Sequence, residues 1–232
     1  MIPVVLAPGL LCDDRLWSKV QPLLTGEIVT VDFAKDASLE AMAERILADG
    51  PERFVLAGFS MGGMAAMTAA AREPGRVVGL VLIDTHAEPE TPDRSARRAL
   101  QIETAEAGGF VRLVREELKP NYFADPEGHP DERRLVLDMA LDAGELQFRR
   151  HVEALMGRPD PATALKALSM PVTVVTGEQD AIAPVSAARH LVERLKNGRL
   201  VLIPDCGHMA PLEAPVVVAA EIDHLRRQPE FT

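Results

Sequence analysis

The sequence predicts an α/β fold: a mostly parallel six-stranded sheet with helices on both faces and a helical cap. Three observations carry this reading. Short, almost wholly apolar runs alternate with segments of helical period, the mark of a parallel sheet with right-handed crossovers. One of these runs, Phe54 to Ala57, passes through Gly58-Phe59-Ser60-Met61-Gly62-Gly63 directly into a helix dense in alanine. The alternation stops between about Thr85 and Leu168, where only helical patterns occur, and then resumes.

The elements follow in order. Pro3 to Ala7 fits a strand buried on both faces. It ends at Pro8-Gly9-Leu10-Leu11-Cys12-Asp13-Asp14, where Asp13 or Asp14 caps a helix carrying Leu16, Trp17, Val20 and Leu23, with Trp17 as a packing residue. Ile28 to Phe33 is the second strand. Ser38 caps the next helix, with Leu39, Met42, Ile46 and Leu47 on its apolar face; Ala41 at the third helical position completes no capping box. Phe54 to Ala57 is the third strand. Met61 to Ala71 is a helix whose small side chains let it lie close on the sheet, and Val77 to Asp84 is the fourth strand.

Beyond the turn-rich Glu88-Pro89-Glu90-Thr91-Pro92-Asp93, helices are expected over Arg94 to Ala107, Phe110 to Leu118, Asp131 to Leu141 and Glu145 to Met156, punctuated by glycines and prolines. Strands resume at Pro171 to Thr176 and Arg199 to Pro204. Each is followed by a helix opened by a proline, Pro184 to Lys196 and Pro215 to Arg227. The expected organisation is a core of residues 1–84 and 169–232 with a helical cap inserted at 85–168.

Composition narrows the function. With 232 residues and 47% hydrophobic content the chain can bury a large core. A formal net charge of −10 argues against nucleic acid and anionic membrane surfaces as partners. Cys12 and Cys206 stand far apart, which is neither a disulfide framework nor a zinc site. No apolar run approaches the roughly 20 residues of a membrane span, and the start shows no basic region or cleavage signal. A soluble, cytoplasmic protein acting on a small molecule is expected, without metal or cofactor.

The chemistry concentrates at three strand ends. Gly58-x-Ser60-x-Gly62 places a serine on a sharp strand-to-helix turn, with its hydroxyl clear of the backbone and the helix N-terminus favouring negative charge beside it. The plainer alternative is a glycine-rich turn with a surface serine. A serine hydroxyl needs a base to take its proton, and that base needs a carboxylate to fix its tautomer. Thr176-Gly177-Glu178-Gln179-Asp180 and Pro204-Asp205-Cys206-Gly207-His208 supply both just past strand ends, where sites of parallel sheets gather. Asp84 also ends a strand and is the rival acid. Asp205 is assigned to the loop backbone and Glu213 to the start of the last helix. His86 can face the pocket, although a polar linker residue is the plainer reading. Tyr122 can point in from the cap, and Phe59 can line an acyl pocket. Cys12 and Cys206 have no more support as a redox pair than as two small buried side chains.

The order Ser60, Asp180, His208 and the runs Val4 to Leu10, Gly58 to Gly63, Leu80 to Thr85, Val174 to Asp180 and Cys206 to Glu213 resemble the α/β-hydrolase fold superfamily. Within it the chain looks like the small capped carboxylesterases and 3-oxoadipate enol-lactonases, minus the first two strands of the full family sheet. The resemblance implies a Ser60-His208-Asp180 triad, since Gly177-x-x-Asp180 matches the usual acid loop. It also implies an oxyanion hole formed by the backbone N–H groups of Leu10 and Met61. One departure is Pro8-Gly9, where the family usually has His-Gly; the backbone donors survive, but the polar support of that His is missing. The expected activity is a serine hydrolase that cleaves a small carboxylic ester, lactone or thioester through an acyl-enzyme on Ser60. The alternatives are a lyase or C–C bond hydrolase on the same triad, or a ligand-binding receptor. Oligomeric state is not legible.

Overall fold

The computed structural model describes residues 1–227; residues 228–232, the end of the expected core segment, lie outside the described residues. Six strands, β1 (Val4–Ala7), β2 (Ile28–Thr30), β3 (Phe54–Phe59), β4 (Val77–Ile83), β5 (Val172–Gly177) and β6 (Gly198–Ile203), form one sheet in the order β2-β1-β3-β4-β5-β6. Every pairing is parallel. The crossovers place α1 (Leu39–Asp49), α2 (Met61–Arg72) and α7 (Val185–Glu193) against one face and, after the short α8 (Ala210–Glu213), α9 (Pro215–Arg226) against the other.

The central strands β1, β3 and β4 are apolar throughout because alternate side chains serve two cores. Val5, Ala7, Leu56, Leu80, Leu82 and Val174 pack with α1, α2 and α7. Val4, Leu6, Val55, Ala57, Val81 and Val175 pack with Trp17 and the inner side of α9. A third cluster joins Leu11 of the loop after β1 to the helical segment between β4 and β5, through Phe110, Leu113, Phe148 and Val152.

That segment contains α3 (Pro92–Thr104), the short α4 (Phe110–Leu113), α5 (Pro130–Met156) and α6 (Ala162–Ala167). Two π-type turns, Ala105–Gly109 and Val114–Leu118, flank α4. Gly144, at φ 74°, breaks α5 into the two stretches expected from the sequence. Three local expectations change. The helix expected around Trp17 is two 3₁₀ turns, Asp14–Trp17 and Gln21–Leu23, since Pro22 removes an N–H donor that a continuous helix would need. The second strand stops at Thr30, although Val31 N–H still donates to the Leu6 carbonyl. Helix α6, too short to show a period, packs on α2. Among the described residues no helix is long and apolar enough to cross a membrane.

Candidate active site

The loops after β1, β3, β4, β5 and β6 meet at the carboxyl edge of the sheet. β3 turns into α2 at Ser60, whose φ of 51° and ψ of −116° are unusual for a residue with a side chain. Ladder bonds and packing hold it there. Ser60 N–H donates to the Ile83 carbonyl at 2.9 Å, and the Thr85 hydroxyl donates to the Ser60 carbonyl at 2.7 Å. A Cβ at Gly58 would sit 2.6 Å from the Gly62 carbonyl oxygen, and one at Gly62 would sit 2.3 Å from that of Ala7. The loop after β1 therefore rides directly on the first turn of α2, and only glycine fits.

His208, 1% exposed, reaches this turn from the loop after β6. Its Nε2 lies 3.1 Å from Ser60 Oγ and its Nδ1 lies 2.8 Å from Asp180 Oδ2. The other carboxylate oxygen, Asp180 Oδ1, accepts the N–H groups of Ile182 at 2.7 Å and Ala183 at 2.8 Å. These bonds fix the carboxylate plane, so the oxygen aimed at the imidazole cannot rotate away. Ser60, His208 and Asp180 thus form one hydrogen-bonded line across three loops. Such a line moves a proton from hydroxyl to imidazole, while the carboxylate balances the charge formed.

Asp84, the rival acid, does not touch His208. It is fully buried, and its oxygens accept Gly177 N–H and Ala210 N–H, each at 3.0 Å. It staples the loops that carry Asp180 and His208. Burial, then the nearby charge of Asp180, pushes its carboxyl well above the ordinary carboxylate range. Its folded pKa exceeds the reference value of 3.8, so the native state binds the extra proton and stability falls as pH rises from 3.8 through the raised value. Asp84→Asn should remove that decline. Urea unfolding should show wild type losing stability relative to the variant as pH rises from 3.8 through the raised value, by up to about 1.4 kcal/mol per pH unit within the titration window. Parallel pH curves for the two proteins would refute the assignment.

Glu213 does more than start the last helix. Its carboxylate accepts the N–H groups of Gly207 at 3.1 Å, Met209 at 3.0 Å and Ala124 at 2.9 Å, tying the histidine loop to the helical segment. Tyr122, in that segment, lies against His208: its carbonyl accepts His208 N–H at 2.7 Å and its ring stands edge-on to the imidazole at 5.0 Å. Phe59 is closed into the core beside His208, ring centroids 5.2 Å apart. Leu10 and Met61 flank the serine turn, and among the described residues neither backbone N–H donates to a protein acceptor.

His86 lies on the edge of the site. Its Nδ1 accepts Glu88 N–H at 3.1 Å, and burial, then Arg158, pushes its pKa down to about 4. It forms part of the wall of an apolar cavity of about 510 Å³ that runs along α2 past Met64 and Met67. Neither Ser60 nor His208 lines that cavity, so it lies apart from the hydrogen-bonded line. Cys12 and Cys206 are both free and buried, and burial pushes both thiols up, away from the reactive thiolate. Asp205, at φ 52°, accepts the Gln179 amide at 3.4 Å.

Two contacts were not anticipated from the sequence. His151 of α5 and Lys119 of the segment before it both reach the loop after β1. The signal for His151 was its place among Phe148, Val152 and Leu155 on the apolar side of a helix; nothing local named its partner.

The sequence matches the family described as Alpha/beta hydrolase family over residues 4–221. A pimeloyl-(acyl-carrier protein) methyl ester esterase of Aromatoleum aromaticum is 29% identical over 207 residues, covering 84% of this chain and 82% of that protein. Among solved structures, a thermophilic esterase from Thermogutta terrifontis superposes with a TM-score of 0.86 at 28% identity, over 98% of this chain and 90% of its own. An enol-lactonase from Burkholderia xenovorans LB400 reaches a TM-score of 0.85 at 19% identity, over 98% and 92% of the two chains, a likeness of fold.

Proposed function

Because the chain belongs to the alpha/beta hydrolase family, we propose that this α/β-fold hydrolase cleaves carboxylic esters through an acyl-enzyme on Ser60. The observation that carries the reading is the unbroken line from Ser60 Oγ to His208 at 3.1 Å and from His208 to Asp180 at 2.8 Å. In the first half-reaction His208 Nε2 takes the proton of Ser60 as Oγ attacks the ester carbonyl. The carbonyl oxygen becomes an oxyanion that accepts hydrogen bonds from the N–H groups of Leu10 and Met61. The tetrahedral intermediate collapses when His208 returns the proton to the leaving alcohol. Water, deprotonated by the same nitrogen, then attacks acyl-Ser60 and releases the acid. Asp180 offsets the imidazolium charge in both steps. The helical segment 85–168 acts as the lid, holding His208 through Tyr122 and Glu213 and keeping water from the acyl-enzyme.

A finer reading concerns the substrate's carrier. The curated relative is named for an acyl-carrier-protein-bound methyl ester. One observation favours an anionic carrier here: a cleft of about 360 Å³ on the helical segment is lined by Arg115, Lys119, Arg133 and Arg134 and by no acidic side chain. Arg133 Nη1 is buried there without a hydrogen-bond partner.

One assay panel tests both levels. Hydrolysis of p-nitrophenyl esters of increasing acyl length should proceed, and an alkyl fluorophosphonate should add one phosphonyl group at Ser60 by peptide mass. An acyl-carrier-protein methyl ester should exceed the free methyl ester in kcat/KM at low salt, with the advantage shrinking as salt screens the cleft. Absence of both turnover and adduct would overturn the hydrolase mechanism in favour of a lyase or a receptor. Equal rates on free and carrier-bound esters would remove only the carrier.

A further inference from the structure

We infer that His151 of α5 is the positioning residue that sets the oxyanion hole, taking over the polar support that Pro8-Gly9 lacks. The inference rests on the assignment of Leu10 N–H as an oxyanion donor made above.

The loop after β1 has little to hold it from within. Pro8 has no N–H and an inert side chain, and Gly9 has no side chain; a Cβ there would lie 2.7 Å from the Phe59 ring. The next residue but one, Leu11, sits at φ 55°, a left-handed conformation that a leucine leaves unless neighbours hold it. Among the described residues the loop's local ties are the turn bond from Cys12 N–H to the Gly9 carbonyl, 3.2 Å long, and the Cys12 thiol donating to the Leu10 carbonyl at 3.6 Å.

The hold comes from the helical segment. The peptide unit joining Leu10 to Leu11 is gripped at both ends. At one end Leu11 N–H donates to His151 Nδ1 at 3.3 Å. At the other, the Leu10 carbonyl accepts from Lys119 Nζ at 3.4 Å, with Lys119 itself buried against the Tyr122 ring. Leu10 N–H lies in the preceding peptide, whose Gly9 carbonyl accepts Cys12 N–H; each peptide is rigid, so holding the planes on both sides of the Leu10 Cα holds its φ and ψ, and with them the direction in which Leu10 N–H points. His151 is in turn held, since its Nε2 lies 3.1 Å from the Phe33 carbonyl. The partners assign the tautomer: a backbone N–H can only donate, so Nδ1 is the acceptor and Nε2 carries the hydrogen. Full burial keeps the ring neutral, with its pKa pushed down to about 4, so the acceptor lone pair on Nδ1 persists at neutral pH. The fit of donor to oxyanion is where small errors are costly: removing one such donor lowers turnover by about 10²–10³, and misplacing a reacting group by about 1 Å costs on the order of 10².

The test compares two amides of similar polarity at position 151. His151→Asn keeps an acceptor where Nδ1 stood and drops the Phe33 contact. His151→Gln reaches the Nε2 position and leaves Leu11 N–H unpaired. For each, kcat and KM toward a p-nitrophenyl ester, the affinity of an alkylboronic acid that forms a tetrahedral anion on Ser60, and Tm are measured. His151→Asn should stay within about fivefold of wild type in kcat, while His151→Gln falls by about 10²-fold with KM little changed and boronate affinity reduced in parallel. Equal kcat and boronate affinity in the two variants, whatever their Tm, would reduce His151 to a packing residue and overturn the inference. Wild-type enzyme that neither turns over the ester nor binds the boronate would instead fault the serine mechanism on which the inference rests. If His151→Gln does not fold, Lys119→Met, which releases the other end of the same peptide, is read in the same way, and an unchanged kcat and boronate affinity there counts against the inference.

Discussion

Ser60→Ala is expected to lower kcat on p-nitrophenyl esters by about 10⁶-fold while leaving the fold intact, by analogy with the loss when a triad serine is removed elsewhere. The size of the effect follows from the geometry. Oγ is the atom that would form the acyl bond in the proposed mechanism, and its proton faces His208 Nε2 at 3.1 Å. Alanine occupies the same backbone conformation, φ 51° and ψ −116°, so the Ile83 and Thr85 bonds to the main chain of residue 60 survive. The residual rate, roughly 10³–10⁴ above water, would come from the oxyanion donors and binding alone. Because the three side chains act as a unit, adding Asp180→Asn to Ser60→Ala should cost almost nothing more. Initial rates at saturating ester, with enzyme purified free of host esterases, settle the matter: activity in the alanine variant above about one hundredth of wild type would refute Ser60 as the nucleophile.

Asp180→Asn should lower kcat by about 10⁴-fold, the loss seen elsewhere when the acid of a triad becomes an amide. The physical reason lies in the two backbone bonds to Asp180 Oδ1. Ile182 N–H at 2.7 Å and Ala183 N–H at 2.8 Å demand an acceptor at that position, so the asparagine oxygen is drawn there and its NH₂ is turned toward His208. An amide NH₂ donates. It therefore takes the lone pair of His208 Nδ1 and forces the hydrogen onto Nε2, where it faces Ser60 Oγ and can no longer accept the serine proton. The loss should fall on kcat with KM nearly constant. Nδ1 protonation observed by ¹⁵N spectroscopy of His208 in the wild type, shifting to Nε2 in the variant, would be the direct signature. A fall of less than about tenfold would point to another acid. Asp84 is the first to examine in that case, although its oxygens are already taken by Gly177 and Ala210.

Much of the molecule was legible before any coordinates. The α/β fold was written in apolar strand runs separated by helices, and the parallel sheet followed from that alternation. Ser38 caps α1 through its hydroxyl as expected, and Gly58 and Gly62 are where no side chain fits. Where the reading was less complete, competing local forces explain why. The residues around Trp17 have a helical apolar spacing, yet Pro22 interrupts the hydrogen bonds, and two 3₁₀ turns bury Leu16 and Trp17 instead. Glu213 was placed at a helix start, whereas its carboxylate gathers N–H groups from the nearby histidine loop and from Ala124, 89 residues away. A carboxylate's choice among backbone donors is not encoded by its neighbours in sequence.

The sequence by itself determined the class of fold, the serine on its strained turn and the three strand ends that carry Ser60, Asp180 and His208. Each of these depends on residues within a few positions of one another: apolar period, glycine where no Cβ fits, proline where no N–H is needed. Only the tertiary structure decided which carboxylate faces His208, which one staples the loops, and what supports the loop after β1. Those decisions join groups far apart in the chain, such as Leu11 and His151 at a separation of 140 residues. Packing brings them together, and burial then makes a missing hydrogen-bond partner expensive enough to fix each choice.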